Sequence, residues 1–144
     1  MGLSPLSGEY AADRMRRVSY RILIVDDSDV FRRTAAQLLA KRGFESAGAV
    51  ADGEVALAAV CSDRPDGILL DINMPGRDGF AVAASISSVC PAVIVLTSSD
   101  IDEVPSAALK ACGATAFVPK IELATADLEG MFAIGRSGPG QDRR

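Results

Sequence analysis

Short apolar runs recur along this chain, and each is followed by a stretch whose apolar residues fall three and four apart. Tyr20–Val25 (YRILIV) is the first run, and it ends in Asp26-Asp27. Asp29 then stands where it can cap a helix whose apolar face is Phe31, Ala35, Leu38 and Leu39. Lys41-Arg42-Gly43 closes that helix, with basic residues in the last turn and glycine just beyond. Phe44–Val50 reads as a weaker second strand. After an Asp52-Gly53 turn, Glu54–Cys61 is helical, with Val55, Leu57, Ala58 and Cys61 available for burial. Ile68–Leu70 is the third strand and Gly79–Val89 the third helix. Ala92–Leu96 is the fourth strand, ending at Thr97. Pro105 falls just inside a fourth helix, where its missing N–H does no harm, and that helix ends at Cys112-Gly113. Thr115–Val118 is the fifth strand, and a fifth helix is predicted over 123–134.

Strands that are apolar throughout, alternating with helices, predict an α/β fold with a parallel sheet covered on both faces. Right-handed crossovers then give a doubly wound, five-stranded, three-layer sandwich. Residues 1–18 and 136–144 read as polar tails, with one domain over 19–135 between them. In such sheets the site lies beyond the carboxyl ends of the strands.

Those ends carry chemistry. Strand one ends at Asp26-Asp27, strand three at Asp71, strand four at Thr97, and strand five just before Lys120. Each alone has a plainer explanation as a turn, a helix cap or a solvated side chain. Together they place carboxylates, a hydroxyl and an ammonium on one sheet edge. Close carboxylates repel, so they raise a pKa or hold a cation. Oxygen ligands without imidazole or thiolate select Mg²⁺, or Mn²⁺. Lys120 and Thr97 are surplus to a pure metal site but suit a bound phosphoryl group, which a carboxylate nucleophile could receive as an aspartyl phosphate.

Composition narrows the alternatives. The 144 residues contain no histidine, which excludes a Ser-His-Asp triad, a Cys-His pair and imidazole metal ligands. A net charge of −4 argues against nucleic acid as a direct partner, and Arg14-Met15-Arg16-Arg17 is too short to reverse that. Cys61, Cys90 and Cys112 are far apart and odd in number, which predicts reduced, mostly core cysteines and a cytoplasmic location. No apolar run is long enough to span a membrane, and the N-terminus has no secretory pattern.

The stretches ILIVDDSDVFRR, LLDINMPGRDG, VIVLTSSD and GATAFVPK together resemble the CheY-like receiver domains of two-component response regulators, over about residues 20–135. The resemblance implies the flavodoxin-like strand order 2-1-3-4-5. It implies that Asp71 accepts a phosphoryl group from a sensor histidine kinase or phosphotransfer protein. Asp26, Asp27, Asp71 and the backbone carbonyl of Asn73 would hold Mg²⁺. Thr97 would hydrogen-bond the phosphoryl group, and Lys120 would pair with it. Phe117 occupies the place of the family's aromatic switch, so phosphorylation would reshape the surface of helix four, strand five and helix five toward a protein target. Asn73 and Ser99 stand where the family tunes hydrolysis of the aspartyl phosphate. Such a chain is a switch rather than an enzyme, acting as a monomer or a phosphorylation-dependent dimer.

The pattern departs from the family in two ways. Pro119-Lys120-Ile121 lacks the proline that commonly follows the lysine, so the loop before helix five is expected to differ in shape. Beyond residue 135 stands RSGPGQDRR, a linker-like stretch that fits a single-domain regulator and equally a receiver separated from a DNA-binding output domain. The competing functions are a phosphorylation-independent scaffold with the same fold and a small haloacid-dehalogenase-like phosphohydrolase. The latter's first motif would need Thr or Val where Phe31 stands.

Overall fold

The computed structural model describes residues 20–136, so the expected tails lie outside the described residues except for Arg136, which ends the last helix. Five parallel strands form one sheet: β1 Arg21–Val25, β2 Glu45–Val50, β3 Gly67–Asp71, β4 Val93–Ser98 and β5 Ala116–Pro119. Their spatial order is β2-β1-β3-β4-β5, as the resemblance implied. The connecting helices are α1 Asp29–Lys41, α2 Gly53–Asp63, α3 Gly79–Val89 and α4 Ser106–Cys112, followed by α5 Leu128–Arg136.

The alternation of side chains along the strands builds a core on each face. Leu23, Val25, Ile68, Leu70, Ile94 and Leu96 pack against α2, α3 and α4. Ile22, Ile24, Leu69, Val93, Val95 and Val118 pack on the other face, with Ala35 and Leu39 of α1 and Leu128 and Phe132 of α5. Each fully buried Leu, Ile or Phe contributes about 1.5–3 kcal/mol. β3 and β4 are buried along their whole length, which makes them the rigid centre on which strand-end residues are mounted. β2 is the exposed edge strand. Gly48 at φ +113 coincides with a register shift between Ile22 and Ile24 of β1, a bulge that only glycine enters cheaply.

The helix boundaries differ from the sequence pattern in places. Ser28, not Asp29, caps α1: its Oγ accepts from the Phe31 N–H at 3.1 Å. Asp29 sits in the first turn and pairs with Arg32 and Arg33. Pro105 precedes α4 as its cap residue instead of lying inside it. In α2 the buried residues are Gly53, Ala56 and Val60, whereas Val55, Ala58 and Cys61 are exposed. The run is apolar nearly all round, so spacing could not choose a face, and the Asp52 cap fixed the phase. Cys90 and Cys112 are buried as expected, but Cys61 is not.

The largest difference is at the fifth helix, which starts at Leu128 rather than at residue 123. Lys120–Glu122 forms a 3₁₀ turn between β5 and α5. The guanidinium of Arg42, at the end of α1, donates to the carbonyls of Ala124 and Ala126 and pairs with Glu129. Those carbonyls face Arg42, and the Asp127 carboxylate takes the Gly130 N–H to open the helix.

Candidate functional site

The site is assembled at the carboxyl edge of the sheet, where β1, β3, β4 and β5 each deliver a polar residue directly after a buried apolar run. Asp26 is fully buried at the end of β1. Its Oδ1 accepts from the Ser28 N–H at 2.8 Å, and its carbonyl accepts from Arg32 Nη1 at 2.8 Å, so the β1–α1 turn closes on itself. Asp26 Oδ2 receives no well-directed hydrogen bond; its charged partner is Lys120 Nζ at 2.7 Å. Asp27 is exposed beside it.

Asp71 ends β3 and is 3% exposed, which distinguishes it from an ordinary turn aspartate. Its Oδ1 accepts from the Asn73 N–H at 3.1 Å, and its Oδ2 lies 3.7 Å from Lys120 Nζ. Burial is the main cause that raises the Asp71 pKa above its ordinary 3.8; the Asn73 hydrogen bond lowers it, Asp26 raises it, Lys120 lowers it and Asp27 raises it. Carboxylate oxygens of Asp26, Asp27 and Asp71 all lie within 4.8 Å of one another. These three carboxylates and the single ammonium leave an excess of two negative charges, so an oxygen-preferring divalent cation fits the donor set. Asp26 Oδ2, buried without a directed donor, is an acceptor such an ion would satisfy.

Thr97 pairs in register with Asp71 across β3 and β4. Its buried Oγ1 donates to the Val118 carbonyl of β5 at 2.7 Å rather than toward Asp71. Phe117 on β5 is half-buried against the α2–α3–α4 core. Lys120 follows β5 and is nearer to Asp26 than to Asp71. Ser99 is exposed just past β4. A shallow groove of about 600 Å³ opens beside the carboxylates, lined by Asp27, Asn73, Met74, Arg77 and Asp100 among others.

Three contributors were not read from the sequence. Asn73 Nδ2 donates to Ser98 Oγ and to Asp100 Oδ2, each at 2.9 Å, tying the loop after β3 to the loop after β4. Ser98 and Asp100 follow Thr97 in the quoted motif, but only the fold brings Asn73 to them. The third is Phe31, whose ring lies under the ammonium of Lys120. It was legible only as a core residue of α1.

The chain matches the response regulator receiver domain over residues 22–131. It belongs to that family. Among its relatives is protein-glutamate methylesterase/protein-glutamine glutaminase 2 of Anaeromyxobacter dehalogenans (strain 2CP-C), 36% identical over 109 residues, covering 75% of this chain and 32% of that protein. Transcriptional regulatory protein PdtaR of Mycobacterium tuberculosis (strain ATCC 25618 / H37Rv) is 31% identical over 129 residues, covering 81% of this chain and 62% of PdtaR. The receiver chain thus spans between 32% and 62% of the length of these two relatives. The response regulator domain of Thermotoga maritima CheB superposes with a TM-score of 0.74 at 23% identity, covering 85% of this chain and 100% of that one. The NarL signal receiver domain of Mycobacterium tuberculosis gives a TM-score of 0.72 at 27% identity, with 83% and 98% covered. Receiver domains of this family bind Mg²⁺ at an acidic pocket and work with histidine kinases or phosphotransfer proteins. Among the described residues, no helix is long and apolar enough to cross a membrane.

Proposed function

We propose that this receiver accepts a phosphoryl group on Asp71 from the phosphohistidine of a sensor kinase or phosphotransfer protein and passes the signal to a protein target in the cytoplasm. The observation that supports this best is the joint position of Asp71, Thr97 and Lys120. A buried carboxylate on the central strand stands in register with Thr97 of the next strand and has an ammonium 3.7 Å away. Asp26, Asp27, Asp71 and the Asn73 carbonyl are the groups that would hold Mg²⁺, with Mn²⁺ as a substitute. When bound, the ion offsets charge on the transferring phosphoryl oxygens.

A carboxylate oxygen of Asp71 attacks phosphorus in line. The O–P bond forms as the donor's N–P bond breaks, and the imidazole leaves with the electron pair. β3 fixes the nucleophile for this attack, which is catalysis by position. Lys120 moves from Asp26 to a phosphoryl oxygen, a stronger charge-assisted contact. Thr97 leaves the Val118 carbonyl and donates to the phosphoryl group. The space vacated near β5 lets Phe117 turn inward and reshapes the α4–β5–α5 surface, a two-state equilibrium biased by one covalent charge.

The test is intact-protein mass after incubation with Mg²⁺ and acetyl phosphate, wild type beside Asp71→Ala. The expected result is a gain of one phosphoryl group in wild type alone. No gain in wild type, with acetyl phosphate or with a phosphorylated histidine donor, favours a scaffold that keeps the fold without the chemistry.

A further inference from the structure

The ammonium of Lys120 sits at the end of a flexible side chain, paired closely with Asp26 and within 3.7 Å of Asp71. The structure supplies a third contact. Lys120 Nζ lies 4.2 Å from the centroid of the Phe31 ring, while Asp26 Oδ2 is 2.7 Å and Asp71 Oδ2 3.7 Å away. The ammonium is therefore bounded by two carboxylates and an aromatic face, and the lysine side chain is only 18% exposed. An ammonium within about 6 Å of a ring centroid is attracted by the ring quadrupole, more strongly once desolvated.

Phe31 is itself fixed. Its N–H is held by the cap residue Ser28, whose own N–H is held by Asp26 Oδ1, and the next residue, Arg32, donates to the Asp26 carbonyl. The backbone that carries the ring is thus tied to the Asp26 carboxylate through Ser28. The ring's place on α1 comes from helical spacing, which explains packing against the core but not an aromatic in particular, since leucine satisfies the same spacing.

We propose that Phe31 is a positioning residue for phosphoryl transfer. Its ring face holds the Lys120 ammonium at the height of Asp71, ready to move onto the incoming phosphoryl oxygens. This deepens the proposed function and rests on it.

The test replaces Phe31 with its mono-, di- and trifluorinated analogues, which keep the ring's shape while progressively weakening its negative face. The rate of phosphorylation by acetyl phosphate with Mg²⁺ is followed by intact mass. The rate is expected to fall by about threefold to thirtyfold in total, its logarithm dropping steadily along the series. Phe31→Leu should match the trifluoro protein, and Phe31→Tyr should keep the wild-type rate. In the metal-free protein, the Lys120 ε-methylene protons are expected upfield of ordinary lysines and at ordinary positions in Phe31→Leu. A labelled wild type with a flat fluorine series, or ε-methylene protons unmoved by Phe31→Leu, overturns this role alone. A wild type that takes no phosphoryl group overturns the reading of the site, and this role with it.

Discussion

Asp71 is held where its own charge is opposed by the fold. Burial disfavours the carboxylate, Asp26 and Asp27 add repulsion, and the Asn73 N–H and Lys120 only partly offset them. The folded chain therefore binds the Asp71 proton more tightly than the unfolded chain does. The sign follows from linkage: the stability this proton gives is fully present below the ordinary value of 3.8 and is lost as pH rises through the folded-state pKa. At neutral pH the raised Asp71 pKa is therefore a cost that the metal-free protein carries. Asp71→Asn removes it while keeping an oxygen to accept from Asn73. In chelator, Asp71→Asn is expected to unfold at a higher temperature than wild type at pH 7, with the gap closing as pH falls toward 4. Thermal melts across that range measure it, and a gap that does not change with pH would contradict the assignment. The burial that raises the Asp71 pKa thus also makes the resting fold less stable at neutral pH.

Elements impose this geometry through close approach. α3 starts beneath the loop that follows Asp71, and Gly79 is the point of contact. A Cβ there would lie 2.3 Å from the Ile72 Cα and 3.0 Å from the Asp71 carbonyl oxygen. Both are backbone atoms, of Asp71 and the residue after it, so no side-chain rotation relieves the clash. Gly79→Ala is expected to destabilise by about 1–3 kcal/mol in urea titrations. It should slow acetyl phosphate labelling by about tenfold or more, because the displaced backbone lies between Asp71 and Asn73. The same scale explains what the sequence disclosed. Strands were plain because β1, β3 and β4 are buried on both faces and read as unbroken apolar runs. The start of α5 was not, because Arg42, more than eighty residues away, decides it by hydrogen bonds to Ala124 and Ala126. The phase of α2 was hidden by an apolar composition that fits several rotations equally well.

For the whole molecule, the site was legible where topology alone collects residues and illegible where packing does. A parallel sheet puts every strand end on one edge, so Asp26, Asp27, Asp71, Thr97 and Lys120 followed from strand order. Phe31 and Asp100 reach the site from outside the strands, and the role of Ser98 at the end of β4 depends on Asn73 from another loop, so no spacing rule announces these contacts. The assembled edge carries an excess of two negative charges in its three carboxylates and one ammonium. Cation binding there would be tied to global folding, because the unfolded chain scatters the three carboxylates. A divalent ion at a hundredfold excess over its Kd adds about 2.7 kcal/mol to the folded state. For a domain of this size that is a rise of roughly 10 °C in the unfolding midpoint. Wild type is expected to show this rise with Mg²⁺ and with Mn²⁺, and to lose it on chelation. Asp27→Ala, at an exposed position where the truncation leaves the core intact, should unfold near the wild-type metal-free midpoint and respond little to either ion. An equal rise in Asp27→Ala would locate the ion elsewhere and remove Asp27 from its ligands.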